Sequence, residues 1–241
     1  MNPLAVVALG RIPYADALAL QRALREDRIA GKIDRDILLL VEHEPTVTLG
    51  RGTRLTSLPL PPEELARRGL TVMEVERGGD VTWHGPGQLV GYPILDLAQH
   101  RPDLHWYLRQ LEETLIGALR PLGIQAERNP GLTGVWTRGR KIASLGVHVR
   151  RWVTAHGFAL NVTNDPGEFG LIVPCGIVGV TMTTVARELG DSATWQLGDS
   201  ALWDETIRAV IESFGRVFER QPVTATLPEL RPEGTILGIE S

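Results

Sequence analysis

Leu104, Leu108, Leu111, Leu115 and Leu119 recur at the helical period and lay one apolar stripe along the chain. Asp103 ahead of them suits a cap and Pro121 behind them a stop. Trp203, Ile207, Val210, Ile211, Phe214 and Val217 form a second stripe and predict a helix from about Leu202 to Phe218. Tyr14 to about Ile29 predicts a third, with Tyr14, Leu18, Gln21 and Leu24 on one face. Pro62, followed by Glu63 and Glu64, marks the start of a shorter one, because proline fits a first turn and acids favour its positive end.

Strand patterns lie between these stripes. Ile37 to Val41 is a continuous apolar run before the polar Glu42-His43-Glu44-Pro45, which predicts a strand buried on both faces. Val47-Thr48-Leu49 is expected to pair with it. From Lys141 to Val149 the chain alternates, with Ala143, Leu145, Val147 and Val149 on one face and Ser144, Gly146 and His148 on the other. Trp152 to Val162 would return as the second arm of a hairpin after Arg150-Arg151. Strands and helices mix without a βαβ rhythm. The expected fold is an α/β (α+β) domain with a mixed, largely antiparallel sheet flanked by helices, and no linker or repeat divides residues 1–241 into more than one domain.

A net charge of −4 disfavours a general nucleic-acid binder. The apolar start of the chain is broken by Arg11, Pro13 and Asp16 and lacks a basic leader, so neither a signal peptide nor a membrane span is expected, and a cytoplasmic location is. One cysteine, Cys175, excludes an internal disulfide. It stands between Pro174 and Gly176, at a shaped turn able to present a sulfur. The run Arg77-Gly78-Gly79-Asp80-Val81-Thr82-Trp83-His84-Gly85-Pro86-Gly87-Gln88-Leu89 is the densest in glycine, yet it has neither the P-loop nor the dinucleotide spacing. His43 falls among turn residues, and solvated or capping roles suit His100 and His105. His84 and His156 each precede a glycine. No set of His, Cys or acidic residues has zinc spacing, so no metal is expected.

Four segments occur together in order: Arg77–Leu89, the stretch Gly139-Arg140-Lys141-Ile142-Ala143-Ser144-Leu145-Gly146, the triplet His156-Gly157-Phe158, and Pro174-Cys175-Gly176. In this the chain resembles the octanoyl-[acyl-carrier-protein]:protein N-octanoyltransferases, or lipoyl(octanoyl) transferases, from about the first helix to beyond Thr184. Trp83 departs from the family's usual tyrosine, and altered packing near the acyl pocket is expected there. The resemblance implies the catalytic fold of biotin and lipoate protein ligases. It places the acyl-thioester cysteine on Cys175 and the lysine that tunes it on Lys141. Substrate-lining segments fall on Arg77, Gly78, Gly79, Asp80, Val81, Thr82, Trp83 and His84, on Ser144, Leu145 and Gly146, and on His156, Gly157 and Phe158.

The implied reaction passes an octanoyl or lipoyl group from acyl carrier protein to a lysine of a lipoyl-accepting domain through a cysteine thioester. The implied acceptors are the lipoyl domains of 2-oxoacid dehydrogenase E2 subunits and the glycine-cleavage H protein. No cofactor is implied, since an amide forms downhill from a thioester. An isolated cysteine, with a pKa near ~8.5, is a few per cent thiolate at neutral pH, and a neighbouring lysine favours the charged sulfur. Arg140, Arg150 and Arg151 are candidates for docking an acidic carrier. A monomer is the default. The competing expectations are an ATP-dependent lipoate ligase on the same fold, a cysteine hydrolase pairing Cys175 with His84 or His156, and an acyl-binding module without catalysis.

Overall fold

The computed structural model describes residues 2–176 and 179–231, except the side chains of Leu55, Cys175 and 191–197. The chain opens with strand β1 (Asn2–Ile12), helix α1 (Tyr14–Ile29), β2 (Asp36–His43) and β3 (Thr46–Leu49). Helix α2 (Pro62–Arg67), β4 (Thr71–Glu74), β5 (Val81–His84), β6 (Gln88–Ile94) and α3 (Leu104–Leu119) follow. Strands β7 (Glu127–Asn129), β8 (Leu132–Thr137), β9 (Arg140–Arg150) and β10 (Val153–Asn161) come next. The last elements are α4 (Val185–Leu189), α5 (Asp191–Val217), β11 (Arg220–Thr224) and α6 (Leu227–Leu230).

Eight strands form the main sheet in the order β11-β1-β2-β6-β10-β9-β8-β7. Only β11–β1 and β1–β2 are parallel, and the remaining pairs are antiparallel. The sheet is therefore mixed and largely antiparallel, with helices on both faces. Alternation explains the long apolar runs. Leu4, Val6, Leu38 and Leu40 join α3 and α5 in one core, while Ala5, Val7, Ile37 and Leu39 join α1 in the other. Asp103 caps α3, its carboxylate accepting from Trp106 N–H at 3.0 Å. At the β9–β10 hairpin, Arg151 and Trp152 both take positive φ, 49° and 64°, which matches the strand twist in a two-residue turn.

The apolar start of the chain, to which the sequence reading assigned no element, is β1, held between two parallel neighbours. Two expectations are corrected. Strand β3 does not pair with β2. It pairs with β4 and β5 in a separate three-stranded sheet, because Glu44-Pro45 ends the run and turns the chain away. The helix expected from Leu202 is the later part of α5, which runs on from Asp191 across a break at Gly198, φ 69°.

Candidate functional site

Between the small sheet and strands β6, β10 and β9 of the large one, a cavity of about 240 Å³ opens. Strand β5 shows how the sequence builds it. Its period of two sends Thr82 and His84 into the cavity, and Val81 and Trp83 into the apolar cluster beneath the small sheet. Trp83 meets Phe169 there, with ring centroids 5.5 Å apart. The indole is therefore placed away from the pocket, because its register on β5 faces the other side. Gly78 is also not a lining residue; its N–H donates to Val147 O at 2.9 Å and fastens the rim to β9.

The remaining expected residues converge on the cavity: Arg77, Gly79, Asp80, Thr82 and His84 from one side, Ser144, Leu145 and Gly146 from β9, and His156, Gly157 and Phe158 from β10. Gly157 pairs with Gly146 across the strands, and a Cβ on Gly157 would strike Gly91 O on β6. Only glycine lets these strands approach so closely. Sequence reasoning missed Tyr14, Val90, Tyr92, Gly131, Leu132, Thr133 and Ala159, which also line the space. In the sequence Tyr14 belongs only to a helix stripe. Nothing in the sequence placed Gly131, Leu132 and Thr133, at the start of β8, beside the cavity.

Buried polar groups fix the shape of this pocket. The Arg77 guanidinium donates to Thr48 O at 2.7 Å, Thr48 Oγ1 at 2.8 Å and Asp80 O at 2.7 Å, tying β3 to the rim. His43, rather than lying in a turn, ends β2 fully buried. Its Nδ1–H donates to Ile12 O at 3.0 Å, and its Nε2 accepts from the Tyr92 hydroxyl at 2.6 Å. Burial lowers its pKa to about 4. His84 stacks on Tyr14, and its Nδ1 bonds Gln88 Oε1 at 2.8 Å. Burial first, and then the nearness of His43 and of the Arg77 guanidinium, push its pKa well down. The Tyr14 phenol is pushed up to about 12, chiefly by burial. His156 holds a left-handed backbone, φ 56°, secured by its N–H donating to Gln21 Oε1 at 2.9 Å. Burial lowers its pKa despite Glu76, 3.9 Å away. All three histidines are neutral near pH 7.

Lys141, 1% exposed, begins the buried part of β9. Its ammonium lies 5.6 Å from the centre of the Trp136 ring. A Cβ on Gly134 would sit 2.7 Å from Lys141 Cε, so that glycine makes room for the stem next to the lining residues Leu132 and Thr133. The backbone of Lys141 is bracketed by the segment that follows the cysteine: its N–H donates to Thr181 O at 2.8 Å, and Thr183 N–H donates to its carbonyl at 2.9 Å. Upstream, Pro174-Cys175-Gly176 form a single tight turn. Val173 N–H donates to Ser57 O at 2.9 Å, and Gly176, φ 65°, abuts the Asp80 carboxylate. That carboxylate accepts from Ser57 Oγ at 2.6 Å and Val81 N–H at 2.7 Å. The Cys175 side chain lies outside the described residues. Its backbone turn lies against Asp80 on the cavity rim.

Of the arginines expected to dock a partner, Arg140 is committed to Glu188 by two bonds of 2.9 and 2.8 Å, and Arg150 bonds Glu26 at 2.6 Å. Arg151 sits at the hairpin tip. Among the described residues no group of His, Cys, Asp or Glu could hold a metal ion, and no helix is long and apolar enough to cross a membrane.

The fold and its mostly apolar cavity, lined by buried aromatic and histidine side chains, define a mixed α/β domain with a pocket suited to an apolar ligand. Residues 13–214 match the family model described as Lipoyl protein ligase A/B catalytic domain, and the chain belongs to that family. An octanoyltransferase of Geobacter sulfurreducens is 54% identical over 78% of this chain and 77% of its own. One of Gloeobacter violaceus is 51% identical over 87% of each chain, and one of Koribacter versatilis 43% identical over 95% and 94%. The fold matches that of lipoate-protein ligase A bound with ATP, TM-score 0.75 at 17% identity over 97% of this chain and 94% of that one. It also matches P. falciparum LipL1 in complex with lipoate, TM-score 0.68 at 13% identity over 92% and 65%.

Proposed function

We propose that this protein is a cytoplasmic octanoyltransferase that moves an octanoyl group from acyl carrier protein to a lysine of a lipoyl-accepting domain, by way of a thioester on Cys175. The Cys175 thiolate attacks the carbonyl carbon of the donor thioester, and the carrier's sulfur leaves with a proton. The acceptor's neutral ε-amine then attacks the acyl-cysteine. A C–N bond replaces the C–S bond, and the thiol is regenerated. Lys141 stabilises the thiolate and exchanges the proton in each half. The acceptors are the lipoyl domains of 2-oxoacid dehydrogenase E2 subunits and the glycine-cleavage H protein.

One observation carries this reading beyond the likeness to relatives. The turn holding Cys175 lies directly against Asp80 on the rim of the cavity, and the Thr181–Thr183 segment that follows it is hydrogen-bonded to the Lys141 backbone. The apolar walls suit a fatty chain, since each methylene removed from water contributes about 0.8 kcal/mol. Mixing the protein with octanoyl-acyl carrier protein and weighing the Cys175 peptide tests it. An octanoyl adduct formed without ATP and discharged by a lipoyl domain is expected. Protein acylation that requires ATP, with Cys175 unmodified, would instead establish a ligase.

A further inference from the structure

Transfer to a protein requires a surface beside the acyl-cysteine that receives the acceptor. A lysine carries its amine on only four methylenes, so the acceptor backbone on either side of it must come down onto the cavity rim. That rim is formed by the loop after β3. Arg51 N–H donates to Arg77 O at 3.0 Å, Gly52 N–H to Gly79 O at 2.9 Å, and Arg54 N–H to Asp80 Oδ1 at 3.3 Å. The other oxygen of the same Asp80 carboxylate abuts Gly176, so Arg54 is one side chain removed from the cysteine turn.

Arg51 and Arg54 are exposed, and neither joins an ion pair among the described residues. Arg51 is close enough to His148 to depress its ionisation, and Arg25 Nη1 bonds the same imidazole at 2.9 Å. The unpaired positive charge on this side is thus that of the loop itself, in a chain whose net charge is −4. Three acids close by are engaged: Asp80 by Ser57 and backbone N–H groups, Glu76 by Arg22, and Glu26 by Arg25 and Arg150.

We infer that Arg51 and Arg54 form the acceptor-docking rim, recognising carboxylates that flank the target lysine on the acceptor domain. This rests on the octanoyltransferase reading and adds to it the surface that selects the second protein substrate. The donor's thioester arrives on a long arm and does not need its carrier seated on this rim, whereas the acceptor's lysine does.

The test is R51E/R54E in the full-length protein, with two separate readouts: Cys175 acylation by octanoyl-acyl carrier protein without acceptor, and the acceptor KM in turnover with a lipoyl domain. Acylation should stay within about twofold of wild type while the acceptor KM rises by roughly tenfold or more, as like-charge contacts replace complementary ones. R51K/R54K should keep most of the affinity. Changing the acids beside the acceptor lysine to lysine should partly restore turnover by R51E/R54E. Slowed acylation with an unchanged acceptor KM would overturn the inference and assign the rim to the donor. No change in either readout would overturn it in favour of an ordinary solvated pair. Failure of the wild-type protein to acylate Cys175 is a different result, which overturns the octanoyltransferase reading and this inference with it.

Discussion

Gly176→Ala tests how the cysteine turn is held. Gly176 sits at φ 65°, where an L side chain costs about 1–2 kcal/mol. Its new Cβ would also strike the Asp80 carboxylate, whose 2.6 Å bond to Ser57 Oγ would have to lengthen. Loss of a hydrogen bond to a charged group adds about 1.5–3 kcal/mol, concentrated on the turn that carries the nucleophile. Gly179→Ala is the matched control: φ is 79°, but nothing lies within 4 Å of the added carbon, so only the backbone strain applies. Stopped-flow acylation by octanoyl-acyl carrier protein, followed alongside urea unfolding, separates the two effects. Gly176→Ala should slow acylation at least tenfold, and Gly179→Ala should lower stability by about 1 kcal/mol with nearly normal acylation. Because Gly176→Ala already disrupts the Ser57–Asp80 bond, adding Ser57→Ala should cost less than it does alone. Equal acylation rates in the two alanine variants, or strict additivity with Ser57→Ala, would refute a carboxylate-anchored turn.

Cys175→Ala should abolish transfer at unchanged melting temperature, whereas Lys141→Ala should slow acylation and leave the protein folded; turnover and calorimetry check both. Trp83→Ala should destabilise the chain by about 3–5 kcal/mol in urea titrations, since the indole packs on Phe169, while leaving acyl-length preference unchanged. The neutral histidines give a sign for pH. His43 takes its proton near pH 4 in the folded chain and near 6.5 unfolded, so the unfolded state binds more protons between those values. Stability should therefore fall as pH drops from about 6.5 towards 4, by up to about 1.4 kcal/mol per unit for that residue. Buried His84 and His156 add to the slope in the same direction. Denaturant unfolding of His156→Gln should show a shallower pH slope than wild type, and an identical slope would contradict the burial of a neutral ring there.

The sequence alone determined many of the local elements and the family resemblance. Asp103 and Pro121 bound α3, the alternation of Lys141 to Val149 defined β9, and the four motif segments carried the family resemblance. Periodicity and capping are properties of neighbours in the chain, so they are visible in one dimension. Which face a strand turns to which neighbour is not. The run Arg77–His84 looked like one continuous lining, but β5 sends Thr82 and His84 one way and Val81 and Trp83 the other, once its pairing with β3 sets the register. Tyr14 and Tyr92, 78 residues apart, meet only because β2 and β6 pair beneath α1. The same holds for Asp80 and Gly176, and for Lys141 and Thr181. Those contacts depend on closing long loops and on packing against a common core, so only the assembled fold decides them.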